Sequence, residues 1–218
     1  MAYVLFTPPA GEPLDLATAR LHLRADPSAL DDTLILAAIS AARDAAENTT
    51  ARQLCTATWN LVMDRFPHAG SISGGVGDYF PKNSIVLNKS PVQSVVEIRY
   101  LDMGGSWQVM PSTDYVVDTS TEPARITPVF GKIWPICMPQ IASVIIQFIA
   151  GYGSPIYSGA SITGWTGNPV PAGILNWMKL RVGSYYEYRQ EAVVIPKGKV
   201  ELLPFIDSLL DPYMVITY

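Results

Sequence analysis

The sequence predicts an α+β protein: N-terminal helices and a long C-terminal helix forming a helical bundle, with an inserted antiparallel β-sandwich or barrel-like domain. Three observations carry this. Residues 31–49 place Leu34, Ile35, Ala38, Ile39, Ala42, Ala45 and Ala46 on one face of a helix. Directly afterwards Cys55, Ala57, Trp59, Leu61 and Met63 alternate with Thr56, Thr58, Asn60, Val62 and Asp64, the period of a half-buried strand. Short alternating runs then continue to residue 150, and helical spacing returns only after Pro171. The missing linker between helix and strand implies that the helical and β parts share one core. The expected division is a helical segment over 1–52, a β domain over 53–153, a long loop over 154–170, and a C-terminal helix and tail over 171–218 packing on the N-terminal helices.

Taken in order, Pro8, Pro9, Gly11 and Pro13 keep the first segment extended. Asp15 stands at an N-cap position, and Leu16, Ala19 and Leu23 form a short apolar stripe ended by Asp26-Pro27. Ser28 to Asp31 fits a capping box opening the second helix, with Asp32 adding favourable charge to its first turn. Asp31 and Asp32 are therefore read as caps rather than as a catalytic or metal-binding pair. Within the β region, strands are expected at 85–87, at 95–101 in a central position, at 107–110 after the Asp102-Met103-Gly104-Gly105 turn, at 115–118 paired with 125–127, and at 144–150. Two glycine-rich stretches, 66–83 and 154–169, read as long loops. Trp165 in the second is a candidate interface anchor, with local packing as the alternative. Pro171 opens the last long helix, whose apolar face is Ile174, Leu175, Met178, Val182, Tyr185 and Tyr186. A short helix over 202–210 and an apolar, aromatic tail follow. A tail of this kind reads as docked, on its own subunit or on a neighbour.

Hydrophobic residues make up 49% of the 218-residue chain and charged residues only 16%, against a usual ~25%. That balance implies surface covered by other chains. The net charge is −4, and it resides in the first fifty residues, where seven acidic side chains face three basic ones. The absence of a Lys/Arg cluster argues against tight binding to nucleic-acid phosphates. Cys55 and Cys137, the two cysteines, read as buried thiols in a reducing compartment. The first residues lack the pattern of a signal peptide, and no apolar run reaches the ~20 residues of a membrane span.

Little in the sequence points to chemistry. His22 and His68 have no partners at metal-ligand spacing, so no metal site is expected. The Gly74-Gly75-Val76-Gly77 run lacks the Gly-Lys-Ser/Thr ending of a phosphate loop. Asp114, Asp118 and Glu122 flank a hairpin, where acidic residues ordinarily serve turns. No cofactor and no enzymatic activity are expected.

An ordered set of segments carries a resemblance. It runs through 13–24, 31–35, 50–54, Thr58-Trp59, Phe66-Pro67, 90–95, 100–102, 123–126, Trp134-Pro135, 148–153, 169–171, 186–189, 203–205 and 209–213. Together these resemble the head–tail connector (adaptor, or head-completion) proteins of tailed bacteriophages, over most of the chain. Each piece is a structural motif of low specificity; the ordered set is specific. Two departures stand out. Ala51 occupies a position where such proteins tend to have Gly, and the two long loops exceed the usual length. The resemblance implies a structural protein forming a ring, dodecameric by analogy, between the portal and a stopper or tail-completion protein. Such a ring extends the DNA channel without binding DNA tightly. It also implies residence in the virion neck after synthesis in the bacterial host cytoplasm. The C-terminal segment would then meet the portal, making Leu202, Leu203, Phe205, Tyr213, Met214, Ile216 and Tyr218 candidate interface residues beside Trp165. Two rivals predict different behaviour. A DNA-packaging factor would bind DNA with strong salt dependence, and a small enzyme would carry a polar cleft at the edge of the β domain.

Overall fold

The computed structural model describes residues 1–25, 30–67, 83–188 and 208–215. The protein is α+β, and the chain divides into two compact units. The β unit takes residues 1–9 and 56–151; the helical unit takes 10–55 and 152–214. Each unit has its own apolar cluster. The expectation of one shared core is thereby corrected. The abrupt helix-to-strand junction marks a boundary between cores, and no spacer is needed to make one.

The β unit holds two antiparallel sheets. Strands β1 (Ala2–Thr7), β2 (Ala57–Met63), β8 (Val144–Ala150), β4 (Val92–Leu101) and β5 (Trp107–Val109) form the first, in the order β1-β2-β8-β4-β5. Strands β3 (Ile85–Leu87), β7 (Ala124–Pro128) and β6 (Tyr115–Asp118) form the second, in the order β3-β7-β6. Among the described residues no barrel closes: β1 and β5 are the outer strands of the larger sheet. The centre belongs to β8, whose burial alternates strictly through Val144, Ile146, Phe148 and Ala150. The neighbouring β4, expected in a central position, is paired on both sides, by β8 and β5. Both sheets feed one cluster, with Leu61, Met63, Ile98, Ile146 and Phe148 from the first and Ile85, Leu87 and Ile126 from the second. Strand β1 was not anticipated, because Met1–Phe6 has no alternation to read. It is held by backbone pairing with β2 and by Tyr3, whose hydroxyl donates to the Val86 carbonyl (3.2 Å) and accepts from Asn88 N–H (2.9 Å). Burial pushes the Tyr3 phenol above its usual range, although the Asn88 N–H acts in the opposite direction.

The helical unit contains α1 (Leu16–Leu23), α2 (Asp32–Thr50) and α3 (Ala172–Glu187). Asp15 caps α1 as its sequence position predicts, accepting from Thr18 N–H (2.6 Å) and from the Thr18 hydroxyl (3.0 Å). The predicted duties of Asp31 and Asp32 change. Asp31 is itself the N-cap residue but makes no side-chain cap bond; its carboxylate accepts the Tyr186 hydroxyl of α3 (2.5 Å). Asp32 pairs with Arg20 of α1. The two aspartates thus tie α2 to the other helices. Ser28, the other end of the expected capping box, lies outside the described residues. On α2 the buried side chains are Ile35, Ala38, Ile39, Ala42, Ala46 and Thr50, the predicted face. On α3 they are Ile174, Trp177, Met178 and Val182. Trp177 takes the place expected of Tyr185, which faces solvent.

The end of α2 explains the sharp turn into the β unit. Glu47 accepts from the Gln53 side chain (2.8 Å), from Leu54 N–H (2.9 Å) and from Arg43 (3.1 Å). Arg43 is also bonded to Glu12 (2.7 Å). Burial works against the charge of Arg43, but Glu12 and Glu47 outweigh it and raise its pKa. Ala51 ends the helix in the left-handed region (φ 55°), the conformation that a Gly serves without strain. Ala51→Gly is therefore expected to raise stability by about 0.5–1 kcal/mol, after allowing for the greater freedom of Gly in the unfolded chain. Thermal unfolding should show a midpoint higher by roughly 1–3 °C; an unchanged or lowered midpoint would refute the strain argument.

Residues 154–169, expected as a structureless loop, form an antiparallel hairpin of β9 (Gly153–Ser158) and β10 (Ser161–Gly167). Its turn uses Gly159 at φ 60°. The hairpin is fixed by contacts remote in sequence. Tyr157 donates its hydroxyl to the Glu12 carbonyl (2.6 Å) and accepts from Glu12 N–H (2.8 Å), and Ala17 N–H donates to the Ala160 carbonyl (3.2 Å). Of the other predicted loop, 66–83, residues 68–82 lie outside the described residues, as does most of the expected 202–210 helix.

Candidate assembly interface

Asp114 and Asp118, the acidic residues flanking the predicted hairpin, make bonds that hold turns. Among the described residues no group of three or more His, Cys, Asp or Glu side chains is placed to hold a metal ion. Asp118 accepts from the hydroxyl (2.5 Å) and N–H (3.0 Å) of Ser120 and pairs with Arg125 across the β6–β7 turn. The Ser120 hydroxyl, then Arg125, hold the Asp118 carboxyl down at about 2. Asp114 accepts from the ammonium of Lys132 (2.6 Å), and that bond chiefly lowers its pKa. Cys55 is buried, and burial, followed by the nearby Glu12 and Glu47, pushes its thiol up to about 12. Cys137, expected to be buried, is half-buried: it packs against the edge of the β core and also lines the surface groove. Titration with an aromatic disulfide reagent at neutral pH should therefore modify one thiol in the native protein, Cys137, and a second only on unfolding. Rapid modification of both would contradict the burial of Cys55.

What the surface offers is apolar. Val129–Ile141, between β7 and β8, carries a single charge, Lys132. Phe130 is fully exposed, and Ile133, Ile136 and Ile141 are each more than 70% exposed. The segment is nevertheless well held. Lys132 N–H closes a turn onto the Val129 carbonyl (2.9 Å) with Gly131 at φ 83°, and Val129 N–H donates to the Asp114 carbonyl (3.1 Å). Trp134 turns inward and stacks on Phe66 at 4.9 Å with the rings 4° from parallel, donating its indole N–H to the Asn83 carbonyl (2.7 Å). Further on, Met138 N–H donates to the Leu101 carbonyl (2.9 Å) and Ala142 N–H to Asp64 (3.0 Å). Between Asp64-Arg65 and residues 136–141 lies an open groove of about 590 Å³. The outer strands add Val4, Leu5 and Phe6 on β1, and Trp107 and Val109 on β5. In the helical unit Leu21, Leu30 and Leu36 are exposed.

The sequence-predicted interface residues divide three ways. Trp165 is partly buried and packs against the helical core, so local packing uses much of its ring. Tyr213 is partly buried too. Its ring lies against Gly173 on α3, where an added Cβ would stand 2.8 Å from Cε2, and its carbonyl accepts Arg52 Nε–H (2.6 Å). With Leu210 in the same core, the 208–214 segment docks on its own helical unit. Met214 is exposed. Leu202, Leu203, Phe205, Ile216 and Tyr218 lie outside the described residues. Sequence reasoning missed Phe130, Ile133, Ile136 and Ile141. The available signal was thirteen residues with one charge and no strand or helix periodicity to bury them.

Comparison with known protein families and with curated proteins finds no match. Comparison with solved structures does. One chain from the neck of an empty gene transfer agent particle, computed with C6 symmetry, superposes with a TM-score of 0.73 at 22% identity, over 100% of this chain and 97% of the other. The fold is that of a gene transfer agent neck protein. A chain from the native gene transfer agent virion gives 0.72 at 21% identity, and one from the native neck computed with C12 symmetry gives 0.67 at 21%, with the same coverage. These likenesses are consistent with the resemblance to head–tail connector proteins that the ordered sequence segments carry.

Proposed function

We propose that this protein is a structural component of the neck of a phage-like particle. It forms an adaptor ring of twelve copies between the portal and the stopper or tail, and that ring continues the DNA channel. The end-to-end likeness to chains in gene transfer agent necks, solved with C6 and C12 symmetry, carries this reading. The charge-poor, apolar surface and the turn and helix-tying duties of its acidic residues support a role in assembly rather than catalysis. In this reading the three helices of neighbouring copies pack side by side, and the C-terminal segment faces the portal. A head-to-tail contact of this kind closes into a ring only when its rotation closes. The chain would be made in the host cytoplasm and end in the particle neck. Deleting its gene from a producing cell tests the reading. The expected result is DNA-filled heads without attached tails under electron microscopy, restored by the gene in trans. Normal tailed particles would overturn it.

A further inference from the structure

The Val129–Ile141 segment contains both a projection and a recess. At its start Phe130 stands fully exposed on a turn closed by Lys132 N–H and clamped to Asp114 from both sides, through Val129 N–H and the Lys132 ammonium. Because this turn is fixed before any partner arrives, burying the ring costs little ordering entropy. At its end Ile136, Cys137, Pro139 and Ile141 line the open groove against Asp64 and Arg65. The buried Trp134 separates the two and holds them in register. Phe130 and Ile133 at one end, and Ile136 and Ile141 at the other, expose on the order of 300 Å² per pair, so each end supplies part of the ~800 Å² per side of a standard interface. The lone charge in the segment is neutralised by Asp114, so a strongly charged partner gains nothing here.

We propose that Phe130 of one copy seats in the groove formed by Asp64, Arg65 and residues 136–141 of the next copy, in a heterologous contact between β units. This rests on the ring reading above and names one of its subunit contacts. The occupant is a second copy because both complementary features occur on this one unit, so each subunit offers a knob to one neighbour and a recess to the other.

The native thiols make the test direct. Cys137 lies in the groove, and Cys55 is fully buried, out of reach of a neighbour's thiol. In Phe130→Cys the new thiol should reach the neighbour's Cys137, since a disulfide requires Cβ atoms within about 3.5–4.5 Å. Mild oxidation of purified particles carrying this variant should give a ladder of covalent oligomers on a denaturing gel. The ladder should vanish in Phe130→Cys/Cys137→Ser. Phe130→Asp should lower the number of tailed particles at least tenfold while the isolated chain keeps its circular dichroism spectrum. Crosslinking that stops at the dimer overturns the heterologous contact. Particles that retain the chain but give no ladder, with Phe130→Asp assembling normally, overturn the contact and leave the ring reading standing. Particles that never contain the chain overturn the ring reading itself.

Discussion

Trp134→Ala is expected to destabilise the β unit by about 3–5 kcal/mol, the range for removing a large buried aromatic. Only 6% of Trp134 is exposed, its ring stacks on Phe66, and Phe66 in turn meets Tyr100 edge-on at 5.9 Å. Alanine would open a cavity beneath the Val129–Ile141 segment and remove the indole donor from the Asn83 carbonyl. Trp134→Phe separates these contributions. It keeps an aromatic stack but loses the hydrogen bond, at a cost of about 1–3 kcal/mol. Urea unfolding followed by circular dichroism gives both numbers. A loss below 1 kcal/mol for Trp134→Ala would show that the segment is not anchored by this residue. Loss of particle assembly at temperatures where the variant remains folded would connect the anchor to the exposed residues it holds.

Gly153→Ala should cost at least about 3 kcal/mol, in the tail of single-substitution effects. An added Cβ would stand 2.6 Å from the Thr166 carbonyl oxygen, 2.7 Å from that of Asn168 and 3.2 Å from Asn168 N. All three are backbone atoms, so no side-chain rotation relieves the clash. The paired strands β9 and β10 would have to separate where Gly153 opposes Gly167. Gly159→Ala at the hairpin tip is the control. Nothing lies within 4 Å of its added Cβ, and only the positive φ of 60° opposes it, for roughly 1 kcal/mol. Thermal melting of the two variants should place Gly153→Ala well below Gly159→Ala. Equal effects would mean that backbone strain, not close approach, limits both sites.

Elements with a clear period were legible in the sequence. The α2 face and the alternation of β2 were legible, because each buries one side, through Ile35, Ala38, Ile39, Ala42 and Ala46 on α2 and through Ala57, Leu61 and Met63 on β2. The β9–β10 hairpin was not, since its Ser, Gly and Pro content matches a loop and its support comes from Glu12 and Ala17, some 140 residues away. Asp31 and Asp32 were placed correctly, as the N-cap residue and the first-turn acid of α2, but their side-chain partners were not foreseen. Capping is a local rule, whereas their partners Tyr186 and Arg20 belong to other helices. Ala51 shows the converse: the resemblance marked it as a departure from Gly, with a longer helix as the alternative, and it stands at the C-cap in the left-handed region. Of the candidate interface residues, Leu202, Leu203, Phe205, Ile216 and Tyr218 lie outside the described residues, and Tyr213 docks on its own unit, one of the two readings of the tail. The exposed apolar residues of Val129–Ile141 follow no period.

The helical unit is assembled from two stretches, 10–55 and 152–214, that flank the β unit's main segment. During synthesis, β1 and residues 56–151 leave the ribosome ahead of α3. The β sheets can therefore condense first, and α1 and α2 must wait with their apolar faces uncovered until the last third of the chain emerges. Nascent chains stalled before α3 should accordingly be the form that chaperones capture.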